Sequence, residues 1–361
     1  MTLAGRAAEA VLEAAVRAKA FPGTSAEAGS SRGPEWTFTS GALTYEQESP
    51  AVTPETIYDL ASLTKVMATT SIAMRVAGSG RLSIEALASE WMPEWKTGPF
   101  AGVRVRDLLE HSSGLAAWLP LFQTNKGRDE FRRAIAALAP EYEPRTKSVY
   151  SDLGFIVLGH VLESVASRGL DELFAEFRRD AGLPDRLDYR PVAQAFPSVA
   201  QAFRPADANI APTEFDPWRN RLPVGEVHDE NAFALGGIAP HAGLFGTASD
   251  VGTFARLVLR TFREQTALGT PDLMKTFATK SAVPHSSRAL GWDTMLPASS
   301  CGSRMSPTAI GHTGFTGTSL WIDYERDLYF VLLTNRVHPT RENNAIRAVR
   351  REFHDALLES A

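Results

Sequence analysis

The sequence predicts an α+β protein: an antiparallel sheet built from both chain ends and flanked by helices, with a mostly helical lobe inserted between its two halves. Three observations lead there. Strand-like pieces lie early, around residues 35–43, with Gly and Thr between them. Strand signals return only late, where "TSLWIDYERDLYFVLLTNR" places runs at 319–322 and 328–334 on either side of a charged turn, the pattern of a β-hairpin. Between them, from residue 81 to about 200, the pattern is helical and punctuated by Pro and Gly. The expected organisation is one catalytic unit over 1–361, with an α/β lobe from 1–80 and 250–361 and a helical lobe from 81–249.

Taken in order, "MTLAGRAAEAVLEAAVRAKAFPG" alternates charge with Ala and Val at helical spacing. It lacks the apolar run of a signal peptide, so it reads as an amphipathic helix and the sequence as given reads as cytoplasmic. No stretch approaches the ~18 apolar residues of a membrane span. "TPET" makes a loop, and residues 63–77 are apolar nearly all round, as in a helix buried on every side. "RVRDLLEHSSGL", "RDEFRRAIAALAP", "LGFIVLGHVLESVASRG" and "LDELFAEFRRDAGLP" come next as helical segments. At the end, Ile346, Val349, Phe353 and Leu357 stand at helical spacing and predict a terminal amphipathic helix packed on the sheet.

Composition excludes several classes of function. With 44% hydrophobic and 22% charged residues the chain is an ordinary globular one. Its formal charge of -5, without long single-sign runs, offers no complement to nucleic acid or to an anionic lipid surface. The single Cys, Cys301, can form no internal disulfide and reads as a small residue in a Gly/Ser loop.

Three stretches carry chemistry. Lys65 is the one Lys in the chain with a Ser three positions before it, and positions i and i+3 share a helix face, so Lys65 projects beside Ser62. Among Leu60, Met67 and Ala68 its amine is expected to be desolvated and neutral, able to take a proton from Ser62. The plainer reading is a capping Ser and a solvent-facing Lys. In "YSDLGFIVLGHVLES", Tyr150 precedes a long apolar helix that Asp152 could cap. A Tyr at such a junction commonly just packs; the functional reading is that beside the Lys65 ammonium the Tyr150 oxygen is held partly or wholly as phenolate and relays protons. In "GHTGFTGTSLWID", glycines at the entry to a strand let something approach the backbone closely. The amides of Phe315 and Ser62 would be the two donors to an oxyanion, and His312 would face the same groove, where it could carry charge near neutral pH. A Gly-rich bulge would explain the last stretch equally well.

Together these stretches resemble the serine β-lactamase and penicillin-binding protein superfamily, in its class C β-lactamase-like branch with related esterases and D-peptidases. That family is marked in order by S-x-x-K, Y-x-N and K-T-G or H-x-G. Here they stand as Ser62-Leu63-Thr64-Lys65, Tyr150-Ser151-Asp152 and His312-Thr313-Gly314, with the flanks "TIYDLASLTK", "VRDLLEHSSGL" and "GTSLWID" also matching from about residue 51 onward. The resemblance implies a β-lactamase/transpeptidase-like fold and a serine hydrolase that needs no cofactor: Ser62 attacks a carbonyl, Lys65 and Tyr150 manage its proton, and water hydrolyses the acyl-enzyme. Asp152 stands where Asn is usual and His312 where Lys is usual, and both changes subtract positive character from the wall that faces the substrate. The resemblance therefore implies weak or no β-lactamase activity, and an ester, amide or peptide substrate instead.

"VHDENAFALGGIAPHAGLFGTASD" resembles a segment of family members that act on peptidoglycan fragments, where H-D-x-N-A and H-A-G-L-F recur. This assigns His228, Asp229, Asn231 and His241, with Asp152, His312, Thr313 and Gly314, to the substrate-binding wall. A zinc hydrolase built on His228, Asp229 and His241, or a silent binding protein of the same fold, are the alternatives, although a binder needs no reactive Ser. A helix is expected to start near Ser249 and Asp250. "GSSRG", residues 29–33, matches the G-x-S-x-G elbow of α/β-hydrolases, which needs a buried strand before it and a helix after. With "FPGTSAEA" before and "PEWTF" after, it reads as a polar loop. Loops at 110–144 and 203–227 are expected to choose the substrate, a small molecule or peptidoglycan fragment.

Overall fold

The computed structural model describes residues 4–192 and 209–359, so the last part of the expected helical stretch, 193–200, and the start of the second specificity loop, 203–208, lie outside it. Along the chain, helix α1 (Gly5–Arg17) leads into strands β1 (Gly23–Ser30) and β2 (Gly33–Gly41), then a short strand β3 (Tyr58–Asp59). The next helix has wide first turns, Lys65–Thr70, and its remainder is α2 (Ser71–Gly78). Helices α3 (Val105–Leu109), α4 (Gly127–Ala136), α5 (Asp152–Ala166) and α6 (Leu170–Asp180) come next, with strand β4 (Asp188–Tyr189). After α7 (Glu230–Ala234) come β5 (Leu244–Gly246), α8 (Ala248–Thr261), α9 (Pro271–Ala278), the strands β6 (Asp293–Thr294), β7 (Ile310–Thr313), β8 (Ser319–Asp323) and β9 (Leu328–Thr334), and α10 (Ile346–Leu357).

The main sheet has the order β2-β1-β9-β8-β7-β6 with every pair antiparallel, so its halves come from the two chain ends. Alternation along β9 explains how it is covered. Phe330 and Leu332 join Trp321, Leu12, Val349 and Phe353 on the face under α1 and α10, whereas Tyr329, Val331 and Leu333 join Leu320, Ile322, Phe254 and Val258 on the face under α8. That second face opens into the main core, which continues without a break through Val66, Met67, Phe155 and Phe174 of the helical region. Cys301 is buried in the first cluster, and burial pushes its thiol up to about 12.

One strand is not the loop expected from the sequence. Gly23–Ser30 is β1, fully buried, and it does precede the "GSSRG" stretch. Its residues are small or polar, with Thr24 the one β-branched residue and no aromatic among them, a weak strand signal. Small side chains are what the position requires. At Gly252 of α8 a Cβ would lie 1.9 Å from Glu27 Oε1, so this helix sits almost on the strand. Glu27 in turn accepts hydrogen bonds from Tyr329 Oη at 2.7 Å and Arg256 Nη1 at 3.0 Å. Beyond the turn at Ser31 and Arg32 the chain enters β2 rather than a helix, so no nucleophile elbow exists. Ser31 is fastened to Asp327 through its amide and hydroxyl.

A second, three-stranded sheet of order β3-β5-β4 holds the chain that enters the wide helix turn. Its two-residue strands are too short to announce themselves by periodicity. Beneath it, α5 is buried along most of its length and packs against residue 240: a Cβ at Gly159 would lie 2.1 Å from Pro240 Cγ. Pro240 accepts a hydrogen bond from Thr69 Oγ1 at 2.6 Å. Replacing Gly159 by Ala should gain about 1 kcal/mol of helix propensity but lose about 1–3 kcal/mol to overpacking against a rigid ring. Urea unfolding of Gly159→Ala should therefore show a lower midpoint at unchanged slope.

Candidate active site

The strand β3 ends in Asp59, whose buried carboxylate fastens the turn after it. Its Oδ1 accepts the Ala61 amide at 2.8 Å and its Oδ2 the His228 amide at 2.7 Å. Ala61 is held at φ 48°, a left-handed conformation that side chains disfavour. The amides of Leu63, Thr64 and Lys65 then bond back to the carbonyls of Leu60, Ala61 and Ser62, closing a tight turn into the wide helix. Ser62 alone among residues 56–74 is not buried, so this turn lifts one hydroxyl to the floor of a cleft.

Lys65 is fully buried, and its ammonium has three acceptors. Nζ lies 3.0 Å from Ser62 Oγ, 3.1 Å from the His241 carbonyl and 2.7 Å from Asp152 Oδ1. Burial by itself would lower its pKa, but Asp152 and Tyr150 outweigh it and hold the amine above its ordinary value. The neutral amine expected from its apolar neighbours is thus replaced by an ammonium, because Asp152 stands just after the site's Tyr at a position where it reaches Nζ. Asp152 does not cap α5 either: Ser151 does, accepting the Gly154 amide at 3.0 Å. The wide turn at Lys65–Thr70 is accompanied by a bond from Ser71 Oγ to the Val66 carbonyl at 3.0 Å. Such turns recur at functional sites.

Tyr150 stands over this group, its ring centroid 4.8 Å from Lys65 Nζ. Burial raises its pKa, and the attraction of Lys65 with the contacts to Lys65 and Ser62 offsets this only in part. The phenolate expected beside a cation is therefore a phenol, whose buried hydroxyl has no well-formed hydrogen bond. Three further groups surround the ring. The rings of His111 and His312 lie tilted beside it, their centroids 4.8 and 5.7 Å away, while the Arg288 guanidinium lies 5.0 Å from its centroid. Burial, then Arg288 and Lys65, hold both His111 and His312 well below the ordinary imidazole value, so of the two roles open to His312, hydrogen bonding and charge, only the first is available at neutral pH. Neutral His312 donates from Nδ1 to the Thr313 carbonyl at 2.8 Å, which leaves Nε2 as a bare acceptor. His111 accepts the Ser151 amide on Nδ1 at 3.0 Å and the Val149 amide on its carbonyl at 2.9 Å, clamping the backbone on both sides of Tyr150. The sequence reading places neither His111 nor Arg288 in the site. His111 lies in the "EHSSGL" flank and is readable as part of it, whereas Arg288 in "HSSRALGW" has no local signal.

The third stretch packs directly on the first. A Cβ at Gly314 would lie 2.7 Å from the Leu60 carbonyl and 3.2 Å from Ala61 Cβ, and Thr316 and Thr318 donate to the carbonyls of Asp59 and Leu60 at 2.8 and 3.0 Å. Gly314, Phe315 and Thr313 thus lie against the turn that presents Ser62. Arg350 braces the loop from behind, bonded to the carbonyls of Gly314 and Thr318 at 2.8 and 2.7 Å.

The remaining expected wall residues serve the scaffold. Asn231 is buried, with Oδ1 accepting the Phe122 amide and Nδ2 donating to the Leu119 carbonyl, both at 2.9 Å. Both ends of its amide are therefore occupied by chain. Asp229 caps α7 and pairs with His241 Nε2 at 3.0 Å; burial would raise its pKa, yet the imidazole and the cap hold it well below the carboxylate range. His228 pairs with Glu214 at 2.7 Å and stacks on Phe315 at 5.6 Å. His228 and His241 thus belong to different pairs, and among the described residues no three His, Cys, Asp or Glu side chains are grouped to hold a metal ion. No single described helix is long and apolar enough to cross a membrane.

A β-lactamase family model matches residues 8–354. The chain belongs to the β-lactamase family. Like other members it is a serine hydrolase of the esterase, amidase and carboxypeptidase type. It is 31% identical over 311 residues to an N-acetylmuramyl-L-alanine amidase of Bacillus subtilis, covering 78% of this chain and 68% of that protein. It is also 31% identical over 323 residues to a protein of Escherichia coli K12 provisionally named a D-alanyl-D-alanine carboxypeptidase, covering 82% and 73%. The same fold appears in EstCE1, a hydrolase with promiscuous acyltransferase activity, with TM-score 0.76 and 20% identity over 99% of this chain and 98% of that one. An octameric penicillin-binding protein homologue from Pyrococcus abyssi shares it too, with TM-score 0.69 and 19% identity over 95% and 76%.

In this β-lactamase family member the Asp152 carboxylate raises the pKa of both Lys65 and Tyr150. A proton must leave that cluster before Ser62 can lose its own, so activity should climb with pH as the cluster ionises. Removing the anion in Asp152→Asn removes a cause that raises both values, which moves the ionisation down. The rising limb of kcat/KM against pH should therefore shift to lower pH in the variant, and a limb that stays or moves up would uncouple Asp152 from the reaction.

Proposed function

We propose that this protein is an amidase or peptidase of peptidoglycan fragments, with Ser62 as nucleophile, Tyr150 as the acceptor of its proton, Lys65 as the cation that favours the Tyr150 phenolate, and the amides of Ser62 and Phe315 as oxyanion donors. One observation carries this reading: a lone accessible hydroxyl lies 3.0 Å from a buried ammonium whose other N–H bonds are engaged by Asp152 and the His241 carbonyl. With no lone pair on Lys65, the group left to receive the Ser62 proton is the unpartnered Tyr150 oxygen, once it has ionised. Lys65, close to that ring, favours the phenolate. Ser62 Oγ then bonds to the carbonyl carbon, Tyr150 hands the proton to the departing nitrogen as the C–N bond breaks, and water releases the acyl group by the same route in reverse.

The substrate class is drawn from the relatives, which are named for muramyl-alanine amide and D-alanyl-D-alanine peptide cleavage. Two departures from the β-lactamase pattern point the same way: Asp152 is engaged with Lys65 and His312 is uncharged, so neither supplies a positive wall for a β-lactam carboxylate. Muramyl-L-alanine and D-alanyl dipeptides should be cleaved, and a chromogenic cephalosporin should turn over at least about a hundredfold more slowly than the better of them.

A fluorophosphonate probe should add its mass to the wild-type protein and none to Ser62→Ala; equal labelling would identify another nucleophile. Lys65→Ala, if folded by circular dichroism, should lose about a hundredfold or more in turnover. A loss of only a few-fold would remove Lys65 from the mechanism.

A further inference from the structure

Few large apolar side chains are exposed among the described residues. Apart from Leu87, they are Trp118, Phe315 and a set between 215 and 224 that includes Phe215 and Trp218. Trp118 and Phe315 lie on segments bonded to the residues around Ser62, and Trp218 joins Trp118 across Phe122. Trp118 comes directly after Ala116 and Ala117, whose carbonyls take the Ser151 hydroxyl at 2.6 Å and the Asp152 amide at 2.9 Å, so it stands at the Asp152 side of Ser62. Phe315 stands at the oxyanion side. Its ring stacks on His228, which is paired with Glu214, the residue before Phe215.

Trp118 and Trp218 are each 43% exposed, yet neither is loosely held. Both pack on buried Phe122, at centroid distances of 6.4 and 4.7 Å, and Trp218 also meets the edge of Phe233 at 5.7 Å. Phe122 is locked by Asn231 through its amide. The turn carrying Trp218 is locked by Asp216, which accepts the Trp218 and Arg219 amides at 2.7 and 3.0 Å, and by Arg219, which bonds to the carbonyls of Val227 and His228. A solvent-facing pair of indoles on so rigid a backing is a preformed apolar ledge, and such patches mark ligand grooves.

We propose that this ledge is a saccharide subsite, which takes the amino-sugar ring of a muramyl-type acyl group while Ser62 attacks the amide attached to it. The proposal rests on the amidase reading above and specifies its substrate. A pyranose has one face of C–H bonds and a rim of hydroxyls. The ledge matches both features, since half-exposed indoles supply the apolar face, and the exposed polar side chains of Gln123, Lys126 and Arg221 stand beside them. A fatty acyl chain would need an enclosed apolar trough. Indoles suit a partly wet ligand because they combine a broad ring with little rotamer entropy to lose. Binding energy gained here, away from the reacting bond, can be used to orient the amide over Ser62.

The test compares two amides with the same scissile bond, N-acetylmuramyl-L-alanine and N-lactyl-L-alanine, which lacks the sugar. In the wild-type protein kcat/KM should favour the muramyl compound by about tenfold or more, and in Trp118→Ala and Trp218→Ala that ratio should collapse toward one, with the change in KM. Trp118→Gln, which keeps a solvated side chain there, serves as a second variant if truncation disturbs folding. In parallel, N-acetylmuramic acid titrated into Ser62→Ala should quench indole fluorescence and release heat, and the combined Trp118→Ala, Trp218→Ala background should abolish both. Equal kcat/KM for the two amides, or sugar binding undiminished without the indoles, would overturn the subsite while leaving the amidase reading intact. Preference for nitrophenyl esters of longer acyl chains over the muramyl amide, lost in the same variants, would overturn it in favour of a lipid occupant. Sugar binding that depends on the indoles, with neither amide cleaved, would uphold the subsite and sink the amidase reading.

Discussion

The site depends on a buried ammonium that has to be satisfied. Lys65 has no access to water, and its three acceptors come from three distant parts of the chain: the turn after β3, the N-terminus of α5 and the loop before β5. An isolated charge of this kind costs several kcal/mol to bury, and taking away one partner of such a pair costs about 3–5 kcal/mol. The charge therefore holds the surrounding elements in register. The contact of Gly159 with Pro240, and the bond from Thr69 to the Pro240 carbonyl, set the neighbouring His241 carbonyl where Nζ needs it. Close packing and charge satisfaction are here one constraint seen from two sides.

The same constraint shapes the electrostatics of the cleft. Two cations, Lys65 and Arg288, lie near the Tyr150 ring, and two imidazoles held neutral by burial and by those cations pack tilted beside it. Asp152 balances Lys65, so Tyr150 is the group whose ionisation the surroundings adjust from opposite directions: burial and Asp152 push it up, Lys65 pulls it down. Its position is as tightly specified as its charge. His111, itself at φ 57°, accepts the amides of Val149 and Ser151 on either side of it. Strained backbone at Ala61 and His111 thus occurs at the two points where a reacting hydroxyl is presented, which is where folds tend to store it.

The rim and the floor of the cleft share their supports. Asn231 fastens the segment carrying Trp118 and Phe122, and two residues earlier Asp229 pairs with His241, whose carbonyl serves Lys65. Glu214 joins His228 to Arg341, and His228 in turn lies against Phe315 beside the turn that presents Ser62. The polar residues of the "HDENA" stretch, expected in the substrate's path, bind the aromatic rim to the catalytic floor instead.

Much of this was legible in the chain alone. The Ser62-to-Lys65 spacing on a helix, the hairpin at the end of the sheet and the amphipathic helices at both ends follow from periodicity and local chemistry, and the ordered motifs at Tyr150 and His312 from the family resemblance. What remained hidden was whatever depends on neighbours remote in sequence. β1 is a strand because Glu27 and its small residues fit between two layers of helices, not because its residues favour strands. Lys65 is charged because Asp152 reaches it from α5, a fact that no view of its apolar neighbours in sequence could supply. Arg288 enters the site from an unmarked segment, and His312 loses its charge to burial and to that same Arg. Local sequence determined which groups stand as candidates for the chemistry, whereas their protonation states and partners were decided by long-range packing, since Coulomb energy and desolvation depend on distance in space rather than along the chain.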